Sequence, residues 1–415
     1  MNQKRLIQAS IVADAFSLHA PGAILLEGEK VVAMGAPESI GHPSDAVATR
    51  HQDQLVCPAL VNAHSHLDLS DLGEISERSF IPWLSHVIRH RRSQEAPGAI
   101  EKAVLHGIER SILGGTIAVG DICGSQRAFD AVRHSGLAGV AFLEILGHGT
   151  RADELVSRIE PWVAGLSSGN ENSSSGPRPG LSPHAPYSTA TEIYEMARSS
   201  GLPVSTHLAE SLEELEWCRS RTGLFAELIA RMGAEPRSGP ADGLHPLEGY
   251  VPFLPEKNGL AVHLNYVQPH HLSLLKSSQA TVVYCPRASD FFGHPHGGAP
   301  GHAWREMVEM GIPVALGTDG RPCLPGDGVA GTRLSVLDDI VHLQNSCGIT
   351  IEEWLPMATL NGADALGVSR ECVCFSPGAS PGILALGMTP GSSRQLDGNA
   401  EVEWLTDPPD IGGRV

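Results

Sequence analysis

Eight short apolar runs between residues 55 and 320 constrain the fold of this chain more than any other feature. In order they are LVCPALVNAH (55–64), GTIAVGDI (115–122), GVAFLEILG (139–147), GLSPHAP (180–186), LPVSTHLAE (202–210), LAVHLN (260–265), ATVVYCP (280–286) and IPVALGTDG (312–320). Most close on a polar or glycine-bearing stretch, as parallel strands buried on both faces do. Segments with helical spacing lie between them, among them ATEIYEMARSS (190–200), HLSLLKSSQ (271–279) and WREMVEMG (304–311). Strand and helix alternating at this pitch imply parallel crossovers, and about eight repeats close a (β/α)8 TIM-like barrel. The fourth strand is the shortest signal, and it follows the Gly/Ser/Asn/Pro-rich stretch 167–180, which reads as a surface insertion.

The two ends differ from the middle. Residues 1–54 carry short β-like runs (AILLEGEKVVAMG, 23–35) with a hairpin signal at Glu27-Gly28-Glu29; residues 370–415 carry PGILALG (381–387) and EVEWLTD (401–407). The expected organisation is therefore a barrel at 55–368 with a small β-sandwich assembled from residues 1–54 and 369–415. The 415 residues suit one barrel of about 250 residues plus such a satellite.

Charge narrows the choice of partner. The formal net charge of −18 argues against nucleic acid and anionic membrane, both of which demand Lys/Arg clusters. No window approaches the roughly 18 consecutive apolar residues of a membrane span, and the first residues lack the apolar core of a signal peptide. Eight cysteines without paired spacing read as scattered thiols of a reducing compartment, and the expected location is cytoplasmic.

The chemistry concentrates at strand ends. His64 and His66 in VNAHSHLDLS (61–70) are two apart on a strand and so share a face, aimed into the barrel mouth. A lone H-x-H is as readily two half-buried polar side chains. Its force comes from THLAE (206–210), which brings His207 and Glu210, AVHLN (261–265), which brings His263, and GTDG (317–320), which brings Asp319. Barrel sites lie at the carboxyl ends of strands, so these groups converge. Three histidines and a carboxylate suit one divalent metal with a place left for water.

This ordered set, H-S-H, THLAE, AVHLN and GTD, resembles the amidohydrolase superfamily, in the branch that holds cytosine, guanine, adenosylhomocysteine and aminofutalosine deaminases and triazine chlorohydrolases. The likeness covers nearly the whole chain. It implies metal ligands His64, His66, His207 and Asp319, a proton shuttle at Glu210, and a water- or substrate-orienting His263. It also implies a single ion, zinc first with ferrous iron sharing the ligands, because the fourth strand offers no lysine and His184 stands at its end, where it resembles a substrate-binding histidine. The implied chemistry is hydrolysis: the ion lowers the pKa of its water from about 16 toward 7–9. Asp319 accepts the water proton, and Glu210 protonates the ring nitrogen and then the departing amine.

The segment YCPRASDFFGHPHGG (284–298) reads C-P-R where many cytosine and guanine deaminase relatives carry an asparagine motif, and so resembles the aminofutalosine side of the family. Arg287 is thereby expected to bind a substrate carboxylate, against the plainer reading of a surface arginine. Trp83, in FIPWLSHVIRH (80–90), has core packing as its ordinary reading and a stacking wall as its functional one. Asp68, Leu69 and Glu144 are further pocket candidates, and His294, His296 and His302 lie in a loop at the barrel mouth. The expected function is a metal-dependent deaminase of a purine-type nucleoside or nucleobase, with aminodeoxyfutalosine as one substrate. The alternatives are an amidohydrolase or chlorohydrolase acting on another C–N or C–Cl bond of a heterocycle, and a non-catalytic homologue. Barrels of this kind often dimerise through their helices, which keeps a homodimer open.

Overall fold

The computed structural model describes residues 3–94, 96–167, 176–294, 301–324, 333–391 and 394–410. Most of the expected insertion at 167–180, and His296, lie outside the described residues.

The first five strands, β1 (Lys4–Ala13), β2 (Leu18–His19), β3 (Gly22–Glu27), β4 (Lys30–Gly35) and β5 (Ala46–Pro58), come before the barrel. The barrel contributes β6 (Leu60–His66), β7 (Thr116–Cys123), β8 (Ala138–Ile145), β9 (Arg178–Pro183), β10 (Val204–Leu208), β11 (Gly259–His263), β12 (Thr281–Tyr284), β13 (Val314–Leu316) and β14 (Asp319–Gly320). The chain returns to the first group with β15 (Ile383–Gly387) and β16 (Val402–Trp404).

The two ends meet in one seven-stranded sheet of order β16-β15-β5-β1-β3-β4, with β2 on β1. Gly28, in the left-handed region at φ 64°, turns β3 into β4 where the hairpin signal stands, pairing Glu27 with Lys30. Residues 55–58, expected to open the first barrel strand, instead complete β5, where Cys57 faces Leu384 of β15. One continuous apolar run thus serves two sheets, divided at Ala59, whose amide is held by the Gly382 carbonyl of the terminal sheet.

All eight expected barrel strands are present, and every pairing between them is parallel. The eighth is split: β13 pairs with β12 and β14 pairs with β6, so the sheet closes on itself. Between them the Gly317 amide binds the Tyr284 carbonyl on one side, and the Thr318 amide binds the His64 carbonyl on the other. A Cβ at Gly317 would stand 2.8 Å from the His64 Cβ, so glycine permits the last strand to lie against the first at the level of the site. Strands β10, β11 and β12 are buried at every position, as parallel strands covered on both faces are. Among the described residues no helix is long and apolar enough to cross a membrane.

Candidate active site

The carboxyl ends of β6, β10, β11 and β14 bring His64, His66, His207, Glu210, His263 and Asp319 together. The ligand atoms of His64, His66 and His207 lie within 4.8 Å of one another, and so do those of Glu210, His263 and Asp319. The imidazole of His64 is the hub: its centroid is 5.0 Å from those of His66 and His207 and 5.5 Å from that of His263. Asp319 Oδ1 is 3.4 Å from His66 Nε2 and 3.8 Å from His64 Nε2. Glu210 Oε1 is 3.4 Å from His263 Nε2.

The backbone is strained where these groups are presented. His263 (φ 73°), Asp319 (φ 61°) and Ala209 (φ 48°) occupy the left-handed region, which costs a non-glycine residue about 1–3 kcal/mol each. Hydrogen bonds hold the arrangement. Glu214, on the helix Leu212–Ser220 capped by Ser211, accepts from the amides of Ala209 and Glu210, each at 2.9 Å. Asn265 donates to the Glu210 carbonyl at 3.0 Å and accepts from Ser289 Oγ at 2.6 Å. His302 Nε2 donates to the His263 carbonyl at 2.7 Å, with its ring stacked on Tyr284.

The site's chemistry suits a divalent cation. Burial first, and then the neighbouring His207, hold His64 and His66 well below the ordinary imidazole range, leaving neutral donors. Among the described residues neither ring nitrogen of His64 has a hydrogen-bond partner although the residue is wholly buried, a costly state that a cation relieves. His207 Nδ1 donates to the His184 carbonyl at 2.8 Å, which turns the Nε2 lone pair inward. Burial, followed by the charges of Asp319 and Glu214, pushes Glu210 well up. The residues present fit such an ion.

Two cavities meet here. A narrow one of about 40 Å³ is lined by His66, His207, Glu210, His263 and Asp319, with Phe80 and Trp83 as apolar walls. A wider chamber of about 750 Å³ adjoins it, walled by residues such as Leu146, Phe225, Leu228, Ile229 and Met232. His184 lines both, with Nδ1 2.6 Å from Ser188 Oγ. Trp83 packs on Phe80 and Phe292 and also lines the narrow cavity.

Arg287 is a correction. Its guanidinium is buried, donates to Asp339 Oδ2 at 2.9 Å and to the Ser335 carbonyl, and stands 3.7 Å from Asp338; it lines neither cavity. Two carboxylates and a backbone carbonyl meet its charge inside the protein, away from both cavities. The loop histidines also read differently: His302 is buried as a prop for His263, and His294 is 3.0 Å from the Tyr266 hydroxyl. Sequence reasoning missed Glu214, Asn265 and Arg91. Glu214 had a visible signal, the S-x-x-E spacing from Ser211; Arg91 had none, since it sits among charged residues of an amphipathic helix.

The sequence profile of the Amidohydrolase family matches residues 55–403. An aminodeoxyfutalosine deaminase of Deinococcus radiodurans is 29% identical over 328 residues, 72% of each chain. A 5-methylthioadenosine/S-adenosylhomocysteine deaminase of Pyrococcus furiosus is 29% identical over 378 residues, 88% of this chain and 81% of that one. The crystal structure of Helicobacter pylori aminofutalosine deaminase with methylthio-coformycin superimposes with a TM-score of 0.72 at 23% identity, covering 95% of this chain and 94% of that one.

Proposed function

The chain belongs to the amidohydrolase family, and from that premise we propose that it is a hydrolytic deaminase of a purine-type nucleoside, with aminodeoxyfutalosine first among the substrates to try. One observation carries the reading: Glu210, His263 and Asp319 share one narrow cavity beside three histidines, and that cavity opens on a chamber large enough for more than a base. His64, His66, His207 and Asp319 would hold one divalent ion, zinc in our reading, with ferrous iron served by the same donors. Such an ion, when bound, polarises water so that hydroxide is available near neutral pH.

The remaining work falls to the chain. Asp319 takes the proton that the attacking water gives up, and His263 Nε2 orients that water. Glu210 delivers its proton from Oε1 to the ring nitrogen of the amidine, takes up the hydroxyl proton of the resulting adduct and passes it to the amine, since ammonia departs only when protonated; the proton held by Asp319 then restores Glu210. Phe80 and Trp83 keep bulk water from the narrow cavity, and His184 and Trp83 contact the substrate. The likeness to deaminases of aminodeoxyfutalosine and of 5-methylthioadenosine/S-adenosylhomocysteine supports this choice over chloride or alkylamine release.

We read the ends, 1–54 and 369–415, as the two parts of a small sandwich around a barrel at 55–368, with β5 carrying the first part on to Pro58. Support comes from two separate apolar clusters in that sheet, one around Ile7, Ile24 and Val56 and one around Leu6, Ala23 and Leu25. All eight cysteines are unpaired, which supports a reducing, cytoplasmic setting.

The test is ammonia release from zinc- or iron-loaded protein offered 6-aminopurine nucleosides, aminodeoxyfutalosine, cytosine and guanine. Release from the nucleosides is expected, falling by about 10²–10⁴-fold in Glu210→Gln with metal content unchanged. Release from cytosine or guanine alone, or from nothing in the panel, overturns the reading.

A further inference from the structure

The two cavities share a neck formed by Leu84, Val87, Arg91, Glu144, His184 and Tyr187. Its charged members are already committed to one another, with one exception. Arg91 Nη1 donates to Glu144 Oε2 at 2.6 Å, while Nη2 donates to Asp68 Oδ1 at 3.3 Å and stands 3.5 Å from His66 Nδ1. The guanidinium therefore acts as a holder, and it turns the Glu144 carboxylate so that one oxygen is used and the other is not. Among the described residues the buried Glu144 Oε1 has no hydrogen-bond partner; His184 Nε2 is 3.7 Å away, beyond hydrogen-bonding distance. The side chain is only 2% exposed. An ionised oxygen in that position loses its water and receives nothing in exchange, unless a ligand supplies a donor.

We propose that Glu144 is a specificity-determining residue that accepts a hydrogen bond from a sugar hydroxyl of the substrate at this neck. The proposal deepens the nucleoside reading and rests on it for the orientation of the ligand. The amidine ring must enter the narrow cavity to reach Glu210 and His263, which line it. The atoms attached to the ring then fall at the neck. In a nucleoside those atoms are a ribose, whose hydroxyls are neutral donors of the kind an open carboxylate oxygen takes. Whatever the sugar carries on its far side passes into the chamber against Phe225, Leu228 and Met232, an apolar wall suited to a carbon- or sulfur-rich substituent.

Glu144→Gln is a near-isosteric reversal. Arg91 requires an oxygen at the Oε2 place, so the amide nitrogen takes the Oε1 place and an acceptor becomes a donor. The experiment measures, by calorimetry on zinc-loaded protein, binding of inosine, its 2′-deoxy and 3′-deoxy forms and hypoxanthine, and, in parallel, kcat/KM for adenosine. The wild-type chain is expected to bind inosine about 10- to 100-fold tighter than at least one deoxy form, as befits a hydrogen bond to a charged group. Glu144→Gln should abolish that difference while binding hypoxanthine as before, which also shows that the variant is folded. Equal binding of inosine and both deoxy forms by the wild type, or equal loss of inosine and hypoxanthine in the variant, overturns the proposal. Retention of the sugar discrimination without any ammonia release from adenosine supports the sugar site and sinks the deaminase reading instead.

Discussion

Arg287 shows how differently one residue reads in one dimension and in three. Its C-P-R context pointed to substrate, yet the buried guanidinium is met by Asp339 at 2.9 Å and by Asp338, with the Asp339 carboxylate wholly enclosed. Removing one partner of a buried pair leaves the other charge uncompensated, at a cost of about 3–5 kcal/mol. Arg287→Met is therefore expected to lower the unfolding free energy by that order in denaturant titrations. Its surviving folded fraction should show an unchanged KM for a carboxylated substrate. A KM raised tenfold or more without loss of stability would return the residue to the pocket. The six strand-end residues, by contrast, were legible because they stand at or just past the ends of the apolar runs, where a barrel gathers its site. Arg91 and Asn265 escaped notice because their importance lies in partners 53 and 55 residues away, which spacing alone does not reveal.

At the scale of elements, the β6–β7 pair shows what holds the H-x-H turn. Asp121, near the end of β7, accepts from Ser65 Oγ at 2.9 Å and from the Leu67 amide at 2.8 Å, so it pins the residues flanking both histidines. Burial, and then the charge of Asp68, push its carboxyl from the ordinary 3.8 up to about 7. Between those values the folded chain binds a proton that the unfolded chain has released. Stability therefore falls as pH rises across that window, the sign required when the native state holds the extra proton. Asp121→Asn keeps the acceptor for Ser65 and Leu67 and removes the buried charge. Its unfolding free energy, followed from pH 4 to pH 8, should lose much of the wild-type decline and gain on the wild type at pH 8; an unchanged slope would contradict the assignment. Element positions were largely legible too. All eight barrel strands fall where the apolar runs stand, and the hairpin at Gly28 where its turn signal stands. The division at Ala59 was not, because a run of buried residues looks alike whichever of two sheets hydrogen-bonds it.

For the whole molecule, the residues proposed to hold the metal and the closure of the barrel are the same structure. His64 lies on the first barrel strand and Asp319 on the last, and the Thr318 amide bonded to the His64 carbonyl joins the two. A cation that binds the folded chain and not the unfolded one adds stability as RT ln(1 + [L]/Kd), about 4 kcal/mol at a thousandfold excess over Kd. Chelation is therefore expected to lower the melting temperature, and added zinc to restore it with one ion per chain by elemental analysis. A melting curve indifferent to chelator, from protein shown to have carried metal, would place the ion elsewhere.

The order of strands, the barrel class and the residues at the strand ends follow from local pattern, since period, turn chemistry and apolar run length are written along the chain itself. Which sheet claims residues 55–58, which arginine faces the cavity, and which oxygen of Glu144 is left open were decided by packing. Each depends on how charges and backbone amides far apart in the chain satisfy one another once water is gone, and desolvation is a property of the assembled interior, with no counterpart in any single segment.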